Sequence, residues 1–215
     1  MKKHNYYALA SLTLLCCMAL TTSFTSTARA QDGVQIIPYY GWQWGGDIST
    51  YEGEIEFDAE DSFGGMIDIP VSVKNSMVEL SYIRQNTNAY LNRYASGRRE
   101  DLFPVSIEYF QAGGVYEQRY SQGKVAPFGL TSLGAVRMAP QHVTYDDYWA
   151  FAITVGVGIK TYLSDRLGLR VQIKAEIPLL FSSGGVWCGT GGCSAGISGT
   201  GTIQGNVGGG LIFVL

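Results

Sequence analysis

The chain has 215 residues, room for one large domain or two small ones, with 28 glycines, 14 tyrosines and only 15% charged residues. A net charge of −3 with no basic stretch excludes a nucleic-acid binder, and a 46% apolar share excludes a disordered chain. A mean hydropathy of +0.06 excludes a helical membrane protein.

The N-terminus reads as an address. Lys2 and Lys3 precede a mostly apolar run from Tyr6 to Leu20, a Ser/Thr stretch follows, and Ala28-Arg29-Ala30 closes it. Basic start, short apolar middle and A-x-A end predict a secretory signal peptide over residues 1–30. Cys16-Cys17 raises a lipoprotein alternative, against which Leu15 stands where a small residue is expected. Cleavage after Ala30 leaves residues 31–215 as one domain, with His142 as its single histidine and Cys188 and Cys193 as its two cysteines in an oxidising compartment. No later apolar run reaches the roughly 18 residues of a membrane-spanning helix, so the domain is soluble or crosses a membrane as a β-barrel.

Apolar residues then alternate with period two along eight segments, near 34–46, 63–72, 76–87, 105–120, 125–138, 148–163, 167–179 and 201–215. The alternation is sharpest in the sixth and seventh. Phe151, Ile153, Val155, Val157 and Ile159 oppose Ala152, Thr154, Gly156, Gly158 and Lys160; Leu169, Val171, Ile173 and Ile177 oppose Arg170, Gln172, Lys174 and Glu176. Short connections near 72–75, 121–124 and 164–166 alternate with long ones near 47–62, 88–104, 139–147 and 180–200. Long loops at one end and tight turns at the other predict an all-β fold, an eight-stranded antiparallel up-and-down transmembrane β-barrel. Its polar face is expected to carry four acids (Asp68, Glu79, Glu108, Glu176) and four bases (Arg137, Lys160, Arg170, Lys174), paired inside a lumen that eight strands leave just wide enough for side chains to fill. Tyr39, Tyr116 and Tyr162 are expected to add bulk there, and Tyr40, Trp42 and Trp44 to form an interfacial girdle outside.

The loops hold the candidate sites. Glu52, Glu54, Glu56, Asp58 and Glu60 line one side of an extended first loop, as a hard divalent cation would use them or as a solvated hairpin would carry them. Arg93, Arg98 and Arg99, with Arg84 near their base, suit lipopolysaccharide phosphates or pair with the acidic first loop. Cys188 and Cys193 bracket Gly-Thr-Gly-Gly; a disulfide competes with metal binding, for which two thiols without histidine make a poor set. His142 has Thr144 and Tyr145 beside it but no placed serine nucleophile, which favours a loop histidine over a lipid-modifying catalyst. The expectation is a non-enzyme without metal or cofactor.

The segments SIEYFQAGGVY (106–116) and APFGLTSLGA (126–135), the turn YLSDRLGLR (162–170) and the finish GGGLIF (208–213) resemble the outer membrane protein β-barrel domain family of Gram-negative bacteria. The resemblance covers the whole domain and implies an eight-stranded barrel in the outer membrane, delivered by the barrel assembly machinery, with no agreed chemistry. Members usually end in an aromatic residue, whereas this chain ends in Leu215, two past Phe213. The expected role is structural or surface-interactive, as a monomer among outer-membrane lipid and lipopolysaccharide. A narrow porin-like channel, a lipid-A-modifying enzyme and a soluble periplasmic ligand carrier are the alternatives.

Overall fold

A computed structural model of the protein describes residues 33–49, 53–95, 99–118, 124–141, 146–189 and 192–215. The segment 1–30 therefore lies outside the described residues. The strands are β1 (Gln35–Gly45), β2 (Ile48–Ser49), β3 (Gly53–Phe57), β4 (Glu60–Pro70), β5 (Ser76–Arg93), β6 (Arg99–Glu117), β7 (Val125–Pro140), β8 (Tyr148–Tyr162), β9 (Leu167–Gly189), β10 (Gly192–Gly201) and β11 (Gln204–Val214). Among the described residues there is no helix.

Period-two sequences form strands because alternate side chains leave opposite faces of the pleat, and each strand finds its hydrogen-bond partners in its chain neighbours. The wall runs β1–β4–β5–β6–β7–β8–β9–β11, every pairing antiparallel, and the β1–β11 ladder from Gln35↔Val214 to Gly45↔Gln204 closes it. Closure removes the edges an open sheet would expose. The result is an eight-stranded antiparallel barrel.

The segments expected as long loops are largely strand. The β5–β6 ladder continues to Asn92↔Arg99, and β10 pairs with the far end of β9 up to Gly192↔Gly189. Short β2 and β3 add a flap, with β3 pairing Gly53↔Arg93 through Phe57↔Ala89 on β5. Backbone pairing needs no apolar periodicity, so these extensions leave little mark in the hydrophobic pattern. They define a long-hairpin end; residues 71–75, 163–166 and the chain end at Leu215 lie at the opposite, turn end.

Alternation sorts the two faces of the wall. On β1, Gln35, Ile37, Tyr39 and Gln43 are buried inside while Ile36, Tyr40, Trp42 and Trp44 are exposed outside. Tyr39 finds room because the paired glycines 41 and 208 lie under its ring; a Cβ on either would come within 2.7 Å and 2.5 Å of the Tyr39 hydroxyl. Tyr162 also lies inside, but Tyr116 is 58% exposed on the outer surface, contrary to the lumen position expected for it. Its neighbours Val115 and Glu117 take the inward places.

The interior is layered. Phe57, Val105, Ile107, Tyr109, Val136 and Met138 form an apolar layer towards the long-hairpin end. Charged residues lie towards the turn end, packed with Met77, Val115, Phe128 and Leu130. The apolar layer arises where β5, β6 and β7 carry large apolar residues on both faces, so that periodicity alone does not tell inside from outside.

Candidate functional site: the lumen network and the outer charged row

Lys160 is the hub of the lumen. Its Nζ donates to Asp68 Oδ2 at 2.7 Å, to Gln35 Oε1 at 2.9 Å and to Glu117, and the side chains of Lys160, Asp68 and Glu117 are all 0% exposed. Arg170 extends the chain of charges. Its Nη1 lies 3.1 Å from the same Asp68 oxygen and 2.6 Å from Glu79 Oε2, its Nε donates to Gln172 at 2.6 Å, and its guanidinium lies 4.5 Å from the centre of the Phe128 ring. Higher in the lumen, Lys174 pairs with Glu176 at 2.9 Å beside the Tyr39 ring.

Neutral groups knit the strands between these charges. Gln204 Oε1 accepts from Tyr109 Oη at 2.6 Å and from Gln43 Nε2 at 2.7 Å. Asn206 Nδ2 donates to Gln43 Oε1 and Ser62 Oγ, and its Oδ1 accepts from Tyr39. Burying charge this deeply is tolerable only with paired, hydrogen-bonded partners.

The structure thus brings together six of the eight expected lumen charges: Asp68, Glu79, Lys160, Arg170, Lys174 and Glu176. It adds Glu117, which the sequence reading missed although its alternation with Val115 places it on the inward face.

Glu108 and Arg137 require correction. They stand on the outer face of the wall. On β6 the inward residues are Ile107, Tyr109 and Gln111, with Tyr109 reaching across the lumen to Gln204, so Glu108 shares its face with the exposed Phe110 and Tyr116. Glu108 is nevertheless covered, its side chain only 7% exposed, because Arg84 and Arg137 lie directly opposite it on the flanking strands. Arg137 Nη1 donates to Glu108 Oε2 at 2.9 Å, while Glu108 Oε1 accepts from the Tyr82 hydroxyl at 3.1 Å and lies 3.5 Å from Arg84 Nη1. Arg137 also binds Asp147 Oδ2 through Nε and Nη2, at 2.9 and 2.6 Å.

The charged loops meet each other. Arg99 binds Asp58 at 2.9 Å and lies 3.3 Å over the Tyr90 ring, Arg93 pairs with Glu100 at 3.0 Å, and Asn92 donates to Glu56 at 2.6 Å. Burial, reinforced by the neighbouring Glu56 carboxylate, pushes the Tyr90 hydroxyl above its ordinary pKa. Glu54 lies on β3 opposite Asn92, and Glu60 opens β4 opposite Gln43. Among the described residues no group of three or more His, Cys, Asp or Glu is arranged to hold a metal ion. Glu52, Arg98 and His142, with Thr144 and Tyr145, lie outside the described residues. Backbone register sets Cys193 opposite Cys188, and the side chains of both lie outside the described residues.

No protein-family model and no curated protein sequence matches the chain. Solved structures do. Neisserial surface protein A is similar with a TM-score of 0.55 at 11% identity, over 85% of this chain and 97% of that one. The outer membrane protein OprG of Pseudomonas aeruginosa is similar with a TM-score of 0.57 at 11% identity, over 86% of this chain and 98% of that one. At such identity the likeness is one of fold.

Proposed function

We propose that this chain, which has the fold of the small eight-stranded outer-membrane β-barrels, is a non-enzymatic outer-membrane protein of structural and surface-interactive role, its lumen closed by paired charges. One observation carries the reading: the burial is inside out. Lys160 and Arg170 are 0% and 1% exposed, whereas Val157 and Val171 on the same strands are 59% and 60% exposed. A water-soluble barrel would reverse that assignment, because an apolar patch spanning a whole wall is costly in water and costless against lipid.

In this reading the signal peptide exports the chain, the assembly machinery folds it, and the long hairpins face outward from the cell. The interlocked acidic and basic hairpins form a stiff rim, and a Cys188–Cys193 disulfide staples the β9–β10 tip. Interaction surfaces then lie on the rim and outer wall, and the barrel acts as a monomer. A porin-like reading draws support from the imbalance in the lumen, where four carboxylates (Asp68, Glu79, Glu117, Glu176) face three bases (Lys160, Arg170, Lys174) among the described residues.

Unheated and heated samples of the isolated outer-membrane fraction separate these readings on a detergent gel. Heat-modifiable migration in that fraction is expected. A protein found in the periplasmic extract without a mobility shift would overturn the membrane assignment. Planar-bilayer recording of the purified barrel is expected to show no steady unitary conductance; discrete steps would favour the channel.

A further inference from the structure

We propose that the outer surface of β4–β7, near the long-hairpin end, binds a phosphorylated, acylated glycolipid of the outer leaflet, of the lipid A type. Arg84 and Arg137 hold its phosphate, and an acyl chain lies in the groove beneath them. The proposal rests on the outer-membrane reading above.

The row Arg84↔Glu108↔Arg137 occupies one continuous register across three strands, with Trp149 of β8 next in line. A carboxylate on a lipid-facing wall is expensive unless neutralised. Here two arginines flank Glu108, and among the described residues the second positive charge is met by the exposed Asp147. Both Glu108 oxygens are engaged, whereas the arginine side chains stay 36% and 35% exposed. The Arg137 contact to Asp147 opposes the proposal's charge balance, but Asp147 is 41% exposed and can yield to a phosphate offering the same oxygens with more charge.

Height places the row correctly. At about 2.5 Å of rise along the barrel axis per residue of tilted strand, Arg84 and Glu108 stand roughly 20–25 Å above the turn end and Arg137 somewhat higher. That is the outer boundary of a lipid-facing band about 25 Å tall. At comparable levels β1 carries Trp42 and Trp44 and β8 carries Phe151 and Trp149, so the charged row is one-sided.

Directly below the row, a groove of about 750 Å³ opens across β4–β7 and reaches Ile36 and Pro38 of β1. Tyr82 and Phe110, their ring centres 5.0 Å apart, form its upper lip; Leu80 and Leu133 flank it, and Gly65 and Ala112 leave its floor low. A guanidinium pair alone suits any anion, and an apolar groove alone suits any acyl chain. Their stacking on one surface selects an amphiphile with phosphate above and hydrocarbon below.

The test uses the full chain in phosphatidylcholine bilayers doped with lipid A, with dephosphorylated lipid A, or with phosphatidylglycerol. The lipid retained per barrel is counted by native mass spectrometry after release. Wild-type protein is expected to retain lipid A, and the other two lipids at about a tenth of that level or less. Arg84→Ala with Arg137→Ala is expected to cut retention about tenfold, Ala112→Trp to cut it comparably with both arginines in place, and Asp147→Asn to raise it. Unchanged retention in the double variant or in Ala112→Trp would overturn the site, as would equal retention of phosphatidylglycerol. Heat-modifiable migration of each variant shows that it is folded, so failure of the site leaves the membrane reading standing.

Discussion

Replacing Lys160 by methionine is expected to destabilise the folded barrel by about 3–5 kcal/mol, the usual cost of removing one partner from a buried ion pair. Lys160 joins Asp68, Glu117 and Gln35, which lie on three different strands, and its side chain is fully buried. Methionine preserves most of the volume but takes the ammonium away from Asp68, Glu117 and Gln35 together, while Tyr162 still donates to Glu117 and Arg170 to Asp68. The measurement is urea unfolding of the barrel in lipid vesicles, followed by tryptophan fluorescence. Adding Glu117→Gln to Lys160→Met is expected to restore part of the loss, since it removes one of the two buried carboxylates that the ammonium had neutralised. A loss below about 1 kcal/mol would mean that water reaches the site, as at an exposed pair. The channel reading would then gain ground.

The second large effect is on the opposite face. Val157→Arg is expected to cost about 2–4 kcal/mol, and Val125→Arg about 0–1 kcal/mol, in the same unfolding experiment. Both valines face outward, at 59% and 47% exposure, but they differ in depth. Val157 lies five residues up β8 from Tyr162, near the middle of the band, whereas Val125 begins β7 at the turn end. A charge at mid-band must be solvated in hydrocarbon, while one at the margin reaches water by extending its side chain. If the wall faced water, both substitutions would fall within about 0.5 kcal/mol of zero. Equal small effects at the two depths would therefore sink the membrane assignment.

Much of the fold is legible in the sequence because strand alternation is a local signal. Residues 148–163 and 167–179 show it plainly, and β8 and β9 carry Lys160, Arg170, Lys174 and Glu176 inward as their parity requires. Hairpin length was less legible. The ladder beyond Ala89 and beyond Leu180 is held by backbone pairing and leaves no hydrophobic rhythm to read.

Glu108 shows where local reading stops. In Ser106-Ile-Glu-Tyr-Phe-Gln111 both parities contain apolar and polar residues, and the lumen assignment of Glu108 rests on a balance of acids and bases along the polar face. What reversed the assignment is tertiary. Tyr109 reaches Gln204 across the lumen, which turns Glu108 outward, and Arg84 and Arg137 on neighbouring strands make that position affordable.

Period, spacing and nearest neighbours along the chain are enough to fix the eight wall strands, their antiparallel order and the parity of the clearly alternating ones. Which charges meet depends on how the barrel closes: Lys160 is shared by Asp68 and Glu117, the acidic and basic hairpins lock together, and one charged row faces outward above an apolar groove. Partners such as Asp68 and Lys160 are 92 residues apart and are brought within 2.7 Å by barrel closure and register, and neither is written in any local stretch of residues.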